Sequence, residues 1–130
     1  MGDHSELTRR EREIMDIIYR KGSASVAEVQ KELSGNPSYS TVRSLMHILE
    51  EKRILRHRDQ NTRFVYYPVT PKKTAVRNAV KGMMKTFFND SIENAVAALL
   101  EFDRSKLTGD ELDRLSELIE KARKEEKGNE

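Results

Sequence analysis

The sequence from Ser38 to Lys52, SYSTVRSLMHILEEK, is predicted to form a helix with two unlike sides. Its apolar residues recur at positions i, i+3, i+4 and i+7, which is the spacing of a stripe that faces a core. The other side carries hydroxyl groups, one arginine and one histidine, where a helix that only meets water usually carries lysine and glutamate. These side chains are Tyr39, Ser40, Thr41, Arg43, Ser44 and His47.

Side chains of these types suit contact with a nucleic acid. Hydroxyl groups bond phosphate oxygens, and the forked guanidinium of Arg43 matches the O6 and N7 atoms of guanine. Each residue also has an ordinary explanation: Arg43 could be a solvated helix residue, His47 an ordinary surface histidine, and hydroxyls are common near helix starts. Their confinement to one face of one basic helix favours DNA binding.

A second basic group follows in the stretch ILRHRDQNTRFVYYPV, where the pattern changes from helix to strand. Its β-branched and aromatic residues flank the polar cluster DQNT, so we predict a hairpin that pairs Ile54–Arg58 with Arg63–Val69. An isolated hairpin is marginal in water, so its apolar side must pack on helices. Arg58 and Arg63 flank the tip, where they would reach the DNA backbone or minor groove, and the tyrosine pair of the second strand is expected to pack.

The helices that must position these side chains are marked by their start signals. Four segments carry Ser, Thr or Asp three residues before a glutamate, which is the pattern of a capping box or its Asp analogue. The four pairs are Thr8 with Glu11, Ser25 with Glu28, Asp90 with Glu93, and Thr108 with Glu111. Ser38 is a further cap, and Pro71 suits a first helical position. We predict helices at residues 8–21, 26–33, 38–52, 71–88, 91–101 and 108–126, with a short third strand at 23–25.

This order of elements predicts the fold class. It is mostly α with a small β-hairpin, and three helices followed by a hairpin form a winged helix-turn-helix DNA-binding domain over residues 1–70. Residues 71–130 form a C-terminal helical dimerisation region. In a winged helix-turn-helix the third helix enters the major groove with its N-terminal half nearest the bases.

The C-terminal region is predicted to associate with a second copy of the chain. Its helices carry more apolar surface than three short helices can bury against one another, and a two-fold partner is the economical remedy. A monomer with a compact helical cap is the alternative.

Composition narrows the function classes. The chain has 130 residues, of which 36% are hydrophobic and 35% charged, and no cysteine, which excludes disulfides and thiolate metal sites. No apolar run approaches the length of a membrane span, so we expect no membrane insertion and a cytoplasmic location. Residues 38–85 hold 11 lysines and arginines against three acidic residues, a net charge of +8, whereas residues 86–130 have a net charge of −5. Such a basic block suggests a polyanionic partner.

The sequence contains no arrangement of residues that indicates a catalytic site. The three histidines are scattered, and the sequence has neither a glycine-rich phosphate loop nor a defensible Ser/His/Asp arrangement. We therefore expect no enzyme activity, no cofactor and no metal. The rival function from another class is a winged-helix module that binds protein or RNA without sequence-specific DNA binding.

Nearly the whole chain resembles the penicillinase repressor family, which includes the methicillin-resistance and copper-responsive repressors. The matching stretches are LTRRE, STVRSL, LEEKRIL, YYPV closing the wing, and KTFFND with AALLEF in the last third. The resemblance implies a homodimeric repressor on a palindromic, double-stranded operator, with Ser40, Thr41, Arg43 and Ser44 at positions that the family uses to contact DNA.

Several positions depart from the family pattern. His47 and Ile48 stand where the family often has Thr-Arg, which puts a second arginine contact in doubt, and Arg53 stands where glycine is frequent before the first wing strand. The absence of a cysteine-rich tail excludes copper sensing by that route.

In β-lactam-responsive relatives, induction involves proteolysis at an Asn-Phe bond in the dimerisation region, so the resemblance implies a membrane metalloprotease receptor as a possible partner. The matching bond here joins Glu101 to Phe102. A pocket that hydrogen-bonds a neutral amide would have to bury an unpaired carboxylate, so we predict poor cutting by a protease of that type. The alternative is that Phe102 is only a core residue at a helix end.

Overall fold

Helices and one hairpin follow each other in the predicted order. The computed structural model describes residues 7–128, and these divide into two compact units with the boundary between Ala79 and Val80. The elements are α1 (Arg9–Lys21), α2 (Val26–Glu32), α3 (Tyr39–Glu51), β1 (Leu55–Gln60), β2 (Arg63–Pro68), α4 (Lys72–Phe87), α5 (Ile92–Phe102) and α6 (Gly109–Gly128). The first unit is a winged helix-turn-helix, as predicted. The functional division after Thr70 stays a prediction.

The first helices begin where their capping residues predicted. Complete capping boxes join Thr8 to Glu11 and Ser25 to Glu28, because in each pair the side chain of one residue bonds the backbone of the other. At the start of α3, the Ser38 hydroxyl accepts a hydrogen bond from the Thr41 amide (3.2 Å). Each bond satisfies an N–H that has no partner within the helix.

Two residues do not take the positions predicted for them at helix starts. Asp90 is not the cap of α5, because its backbone is left-handed (φ 62°) and its amide bonds Met84 O, closing α4. An N-cap needs an extended backbone, so the role passes to Ser91, whose hydroxyl accepts from Asn94 N. Pro71 precedes the first turn of α4, where its carbonyl accepts the bond from Ala75 N.

The hairpin is longer at its tip than the sequence pattern suggested. Asp59 and Gln60 belong to β1, and the register runs from Leu55 opposite Pro68 to Gln60 opposite Arg63. The turn therefore shrinks to two residues, Asn61 and Thr62, both with positive φ (52° and 68°), as the tight turns of twisted hairpins require.

The predicted third strand is reduced to one bridge. Ala24 exchanges two backbone hydrogen bonds with Tyr66, at 2.9 and 2.8 Å. This bridge ties the α1–α2 connection to the wing.

The core of the first unit is made by the apolar stripes of the three helices and the start of the hairpin. Val42, Met46 and Leu49 of α3 are fully buried, while the predicted polar face of the same helix is exposed. The other core residues are Leu7, Ile14, Met15, Ile17, Ile18, Ala24, Val26, Val29, Leu33, Ile54, Leu55 and Tyr66. Burial of one side fixes which side of α3 meets solvent.

The end of α3 is closed by a turn that sets the direction of β1. Arg53 has a left-handed backbone (φ 64°), and its amide bonds Glu50 O while the Ile54 amide bonds Leu49 O (both 3.0 Å). This is a Schellman motif, in which glycine is the usual residue at the left-handed position. The arginine departs from that preference, yet the turn is kept because Leu49 and Ile54 are both buried beneath it.

An ion pair between a buried glutamate and a partly exposed lysine joins the start of α1 to the end of α3. Glu11 is 2% exposed, and both its carboxylate oxygens accept hydrogen bonds from Lys52 Nζ (3.0 and 3.1 Å). Burial acts to raise the pKa of the Glu11 carboxyl, but hydrogen bonds from Thr8 and Lys52 and the charge of Lys52 together outweigh it. The pKa therefore lies below its ordinary value of 4.5.

Replacing Glu11 by glutamine is expected to lower the free energy of unfolding by about 1–2 kcal/mol at neutral pH, because glutamine keeps the capping box but leaves Lys52 without its charge partner. A lowered folded pKa means that this stabilisation is present above the unfolded value and is lost as pH falls through the folded value. Urea unfolding of both proteins from neutral pH to below pH 4.5 should show the difference shrinking. Glu28→Gln, at the same position of the second capping box, is the control and should cost less. A pH-independent difference would contradict the ion-pair account.

The second unit buries little of its apolar surface. Ala95 is buried, but large side chains stand open, including Phe87 (76% exposed), Ile92 (73%) and Phe102 (86%). Leu99, Leu118 and Ile119 are also more than half exposed. Among the described residues, no helix is long and apolar enough to cross a membrane.

Candidate nucleic-acid interface

The predicted DNA-contacting side chains of α3 lie together on its exposed face. Tyr39, Ser40, Thr41, Arg43 and Ser44 are all exposed. Packing of α3 against α2 and the hairpin leaves this face outward, since the opposite side is fully buried. The structure thus brings these five predicted residues onto one surface.

The hydroxyl groups at the start of α3 form a small network. Ser38 Oγ donates to Thr41 Oγ1 (2.9 Å) and lies 3.3 Å from Ser40 Oγ. Because Thr41 Oγ1 accepts in this bond, its own proton remains available to an acceptor outside the protein. A phosphate oxygen is such an acceptor.

Arg43 lies where the helix face meets the wing. Among the described residues, no carboxylate lies within ion-pair distance of its guanidinium. It borders two adjoining depressions, one toward the hairpin tip and the other along α3, with a volume of about 640 Å³. The first is lined by Ser25, Val26, Ala27, Tyr39, Thr62, Arg63, Phe64 and Tyr66, and the second by Ser40, Ser44, His47, Ile48, Glu50, His57, Phe64 and Tyr66. An exposed arginine without an acidic partner keeps all five N–H donors for an external ligand.

His47 is held differently from its neighbours. Its Nε2 lies 2.9 Å from Glu51 Oε1, one turn further along α3, and both side chains are about two thirds exposed. A surface pair of this kind is weak and can exchange its partner. The DNA contact assigned to His47 stays a prediction.

The wing residues that face α3 were not predicted from the sequence. In the observed register, His57 is opposite Tyr66, and Phe64 lies on the same face of the hairpin. His57 stacks on Phe64 (ring centroids 4.3 Å apart), and its Nδ1 lies 2.5 Å from Glu50 Oε2 of α3. Strict alternation along β1 and β2 was the signal that could have identified this face, but it requires the register to be known.

Tyr66 packs in the core, as expected, whereas Tyr67 is half-buried. Tyr66 is 5% exposed, and burial, with a contribution from Glu50, raises the pKa of its phenol. The neighbouring Tyr67 ring lies beneath the Arg58 guanidinium, 5.4 Å from its centroid.

The two wing arginines are placed differently: Arg58 lies away from α3, whereas Arg63 borders the depression beside Arg43. Arg58 is opposite Val65, on the face away from His57 and Phe64. Arg63 begins β2, and its guanidinium lies 3.9 Å from Glu28 of α2, with both groups well exposed. Neither arginine is buried, so both remain able to meet a phosphate.

Replacing Arg58 or Arg63 by alanine is expected to weaken binding to all duplexes alike. Each replacement should flatten the slope of log K against log salt by about one unit, because one phosphate contact is lost. Fluorescence anisotropy at several salt concentrations measures the slope. Lys124→Ala in α6 removes the same charge elsewhere and serves as the control. An unchanged slope for Arg58 or Arg63 would remove that residue from the interface.

The bond between Glu101 and Phe102 lies at the end of α5, just before a single 3-10 turn at Arg104–Lys106. Phe102 is 86% exposed in the protomer, and the Glu101 carboxylate lies 3.2 Å from Arg104. The alternative that Phe102 is a core residue therefore finds no support within one copy of the chain. In residues 7–128, no cluster of three or more His, Asp or Glu side chains is arranged to hold a metal ion.

Comparison with known proteins identifies the family. The family model for the penicillinase repressor matches residues 7–121. The chain is 27% identical over 124 residues to the penicillinase repressor of Bacillus licheniformis, covering 94% of this chain and 95% of that protein. It is 26% identical over 122 residues to the methicillin resistance regulatory protein MecI of Staphylococcus aureus (strain N315), covering 89% and 94%. Among solved structures, the DNA-binding domain of the repressor BlaI matches with a TM-score of 0.48 and 30% identity, covering 55% of this chain and 89% of that one.

Proposed function

Because the chain belongs to the penicillinase repressor family, we propose that it represses transcription as a homodimer bound to a palindromic operator. It is a DNA-binding transcriptional repressor and not an enzyme, as its family membership shows. The homodimer, the palindrome and the residues that touch DNA are the parts proposed here. The cytoplasm, where such a repressor would meet its operator, is the proposed location.

The observation that carries the homodimer is the exposed apolar surface of α4, α5 and α6. Exposed apolar patches on this scale are costly in water and mark surfaces that associate with another protein. A second copy supplies an identical apolar surface, and a two-fold axis buries both at once. Two identical winged domains related by such an axis match a palindrome, whose half-sites carry the same symmetry.

We assign the residues of α3 two different tasks. Tyr39, Ser40, Thr41 and Ser44 hold the helix to phosphates through their hydroxyls, which positions α3 without reading sequence. Arg43 reads a guanine in the major groove. Arg58 and Arg63 anchor the wing to the backbone, and His47 contributes once it leaves Glu51.

The proposal is tested by stoichiometry on an operator selected from random duplexes. Sedimentation equilibrium of the complex should give two protomers for each palindromic duplex. Scrambling one half-site should lower the affinity steeply, whereas scrambling flanking DNA should not. One protomer bound to an asymmetric site would contradict the homodimer.

The same binding experiment distinguishes a DNA-binding repressor from a winged-helix module that binds protein or RNA. An RNA of the selected sequence should fail to compete with the duplex, because A-form helices close the major groove to side chains. Effective competition by RNA, or no salt-dependent duplex binding at all, would favour an interaction module instead.

We propose that this chain is not released from DNA through cutting by a protease specific for an Asn-Phe bond. Glu101 replaces the asparagine at the matching bond, and its carboxylate would have to enter a protease pocket built for a neutral amide. We expect a protease of the β-lactam type to cut this chain poorly, and Glu101→Asn to be cut faster. Mass spectrometry of fragments after co-expression measures both. Efficient cutting of the natural chain between Glu101 and Phe102 by the asparagine-specific protease would contradict this expectation. If a membrane metalloprotease receptor is the partner, it must be adapted to glutamate.

A further inference from the structure

Helix α4 carries a basic stripe that the contacts of α3 and the wing leave unused. Lys73, Arg77, Lys81 and Lys85 are spaced four residues apart, and all four are exposed. The 16 residues of α4 include no acidic residue. Within the described part of the chain, no carboxylate lies within 4.0 Å of any of the four cations. We call these four residues the α4 basic stripe.

The stripe is unfavourable for the helix itself. Like charges at i and i+4 are neighbours on a helix surface and repel each other, and three such pairs occur in succession here. The helix dipole disfavours Lys73 in the first turn and favours Lys85 in the last turn, so the repulsion between neighbouring cations is the unfavourable effect that remains. An arrangement that opposes helix stability is better explained by a ligand than by folding.

Arg77, Lys81 and Lys85 lie on a different side of α4 from its exposed apolar residues, whereas Lys73 lies close to the apolar side. Val76, Val80 and Phe87 follow the spacing of an apolar stripe and are exposed. At 3.6 residues per turn, Arg77, Lys81 and Lys85 turn progressively away from that side, by about 40° at each step. If the apolar side faces a second copy of the chain, the basic side faces outward.

We infer that the α4 basic stripe binds the phosphate backbone of duplex DNA, beyond the contacts made by α3 and the wing. Its four cations span about 18 Å along the helix axis, so they address a run of phosphates and not a single anion. Side chains that contact phosphates do not reach the base edges, so this contact is independent of the DNA sequence. This inference rests on the DNA binding proposed above and widens the footprint of each protomer.

The acidic surface of α6 in a second copy is the competing partner. Its charge is opposite, but one of its carboxylates, that of Glu120, is already paired with Arg123 (3.2 Å). The outward direction of the basic side also favours a partner outside the dimer. DNA is therefore the favoured partner of the stripe, and the experiment below distinguishes it from the acidic surface of a second copy.

The test is the triple variant Arg77→Gln, Lys81→Gln and Lys85→Gln in the full chain, measured on a long duplex of random sequence. Because each lost phosphate contact changes the slope of log K against log salt by about 0.9, the slope should flatten by about 2–3 units. The preference for the selected operator over random DNA should not change. Circular dichroism should show a helix at least as stable, since repulsion is removed.

The matched control is Arg114→Gln, Lys121→Gln and Lys124→Gln, which removes three exposed charges from α6. Equal flattening by both triple variants would reduce the effect to net charge and overturn the inference. A weakened dimer with an unchanged slope would assign the stripe to the acidic surface of the partner copy and would also overturn it. If the wild-type chain binds random duplex steeply and the α4 variant keeps that slope, only this inference fails. If the wild-type chain shows no salt-dependent binding, the proposed function fails with it.

Discussion

A fragment ending at Thr70 is expected to fold as a monomer and to bind the full palindrome about 10²–10⁴-fold more weakly than the whole chain. Linking two DNA-binding units makes the second binding event intramolecular, and this factor is the usual gain. The fragment keeps the entire core of the winged domain, whose buried residues end at Tyr66. It also keeps the bond from the Tyr19 hydroxyl to Thr70 O (3.0 Å). Its far-ultraviolet spectrum and cooperative unfolding should therefore be retained.

A point variant tests the effect of losing the dimer without removing residues 71–130. Ile119→Glu places a charge on the exposed apolar surface of α6, where it would be buried in a dimer without a partner, so it should give monomers. Ser116→Glu adds the same charge at an exposed polar position of the same helix and is the control. Sedimentation velocity and anisotropy on the palindrome measure both effects. Equal affinity of the fragment and the whole chain would end the argument for a dimer.

Arg43→Ala is expected to weaken binding to the selected operator by about 1–3 kcal/mol, which is roughly 5- to 150-fold. The reason is the position of Arg43: one turn into α3, exposed, without a carboxylate partner, and at the junction of the helix face with the wing. The preference at one base pair should relax, because the forked donor pair that matches the O6 and N7 atoms of guanine is lost. Competition anisotropy with single-base operator variants measures the change at each position.

Arg43→Lys is the informative companion. Lysine keeps the charge but not the planar fork, so it should retain binding to random DNA while losing much of the base preference. If Arg43→Ala lowers affinity for random and selected duplexes equally, Arg43 is a phosphate contact. The specificity of α3 would then have to come from elsewhere.

Most element boundaries were predictable because their causes are local. The capping boxes at Thr8 and Ser25 and the cap at Ser38 act within four residues, and each predicted helix begins within one residue of its expected start. The error at Asp90 is also one residue. Asp90 has a left-handed backbone because it closes α4, and the N-cap of α5 is therefore Ser91.

The sequence was sufficient to predict which side of α3 is polar, because helical periodicity separates Val42, Met46 and Leu49 from the hydroxyls and Arg43 within a single element. It also determined the hairpin and the excess of apolar surface in the last sixty residues. The side chains that share a surface with Arg43 could be identified only from the packing of the hairpin against α3. His57 and Phe64 face α3 while Arg58 faces away, because a register shift of one residue would exchange the two faces. The ion pair of Glu11 with Lys52 joins residues 41 positions apart, and no local pattern specifies a partner at that distance.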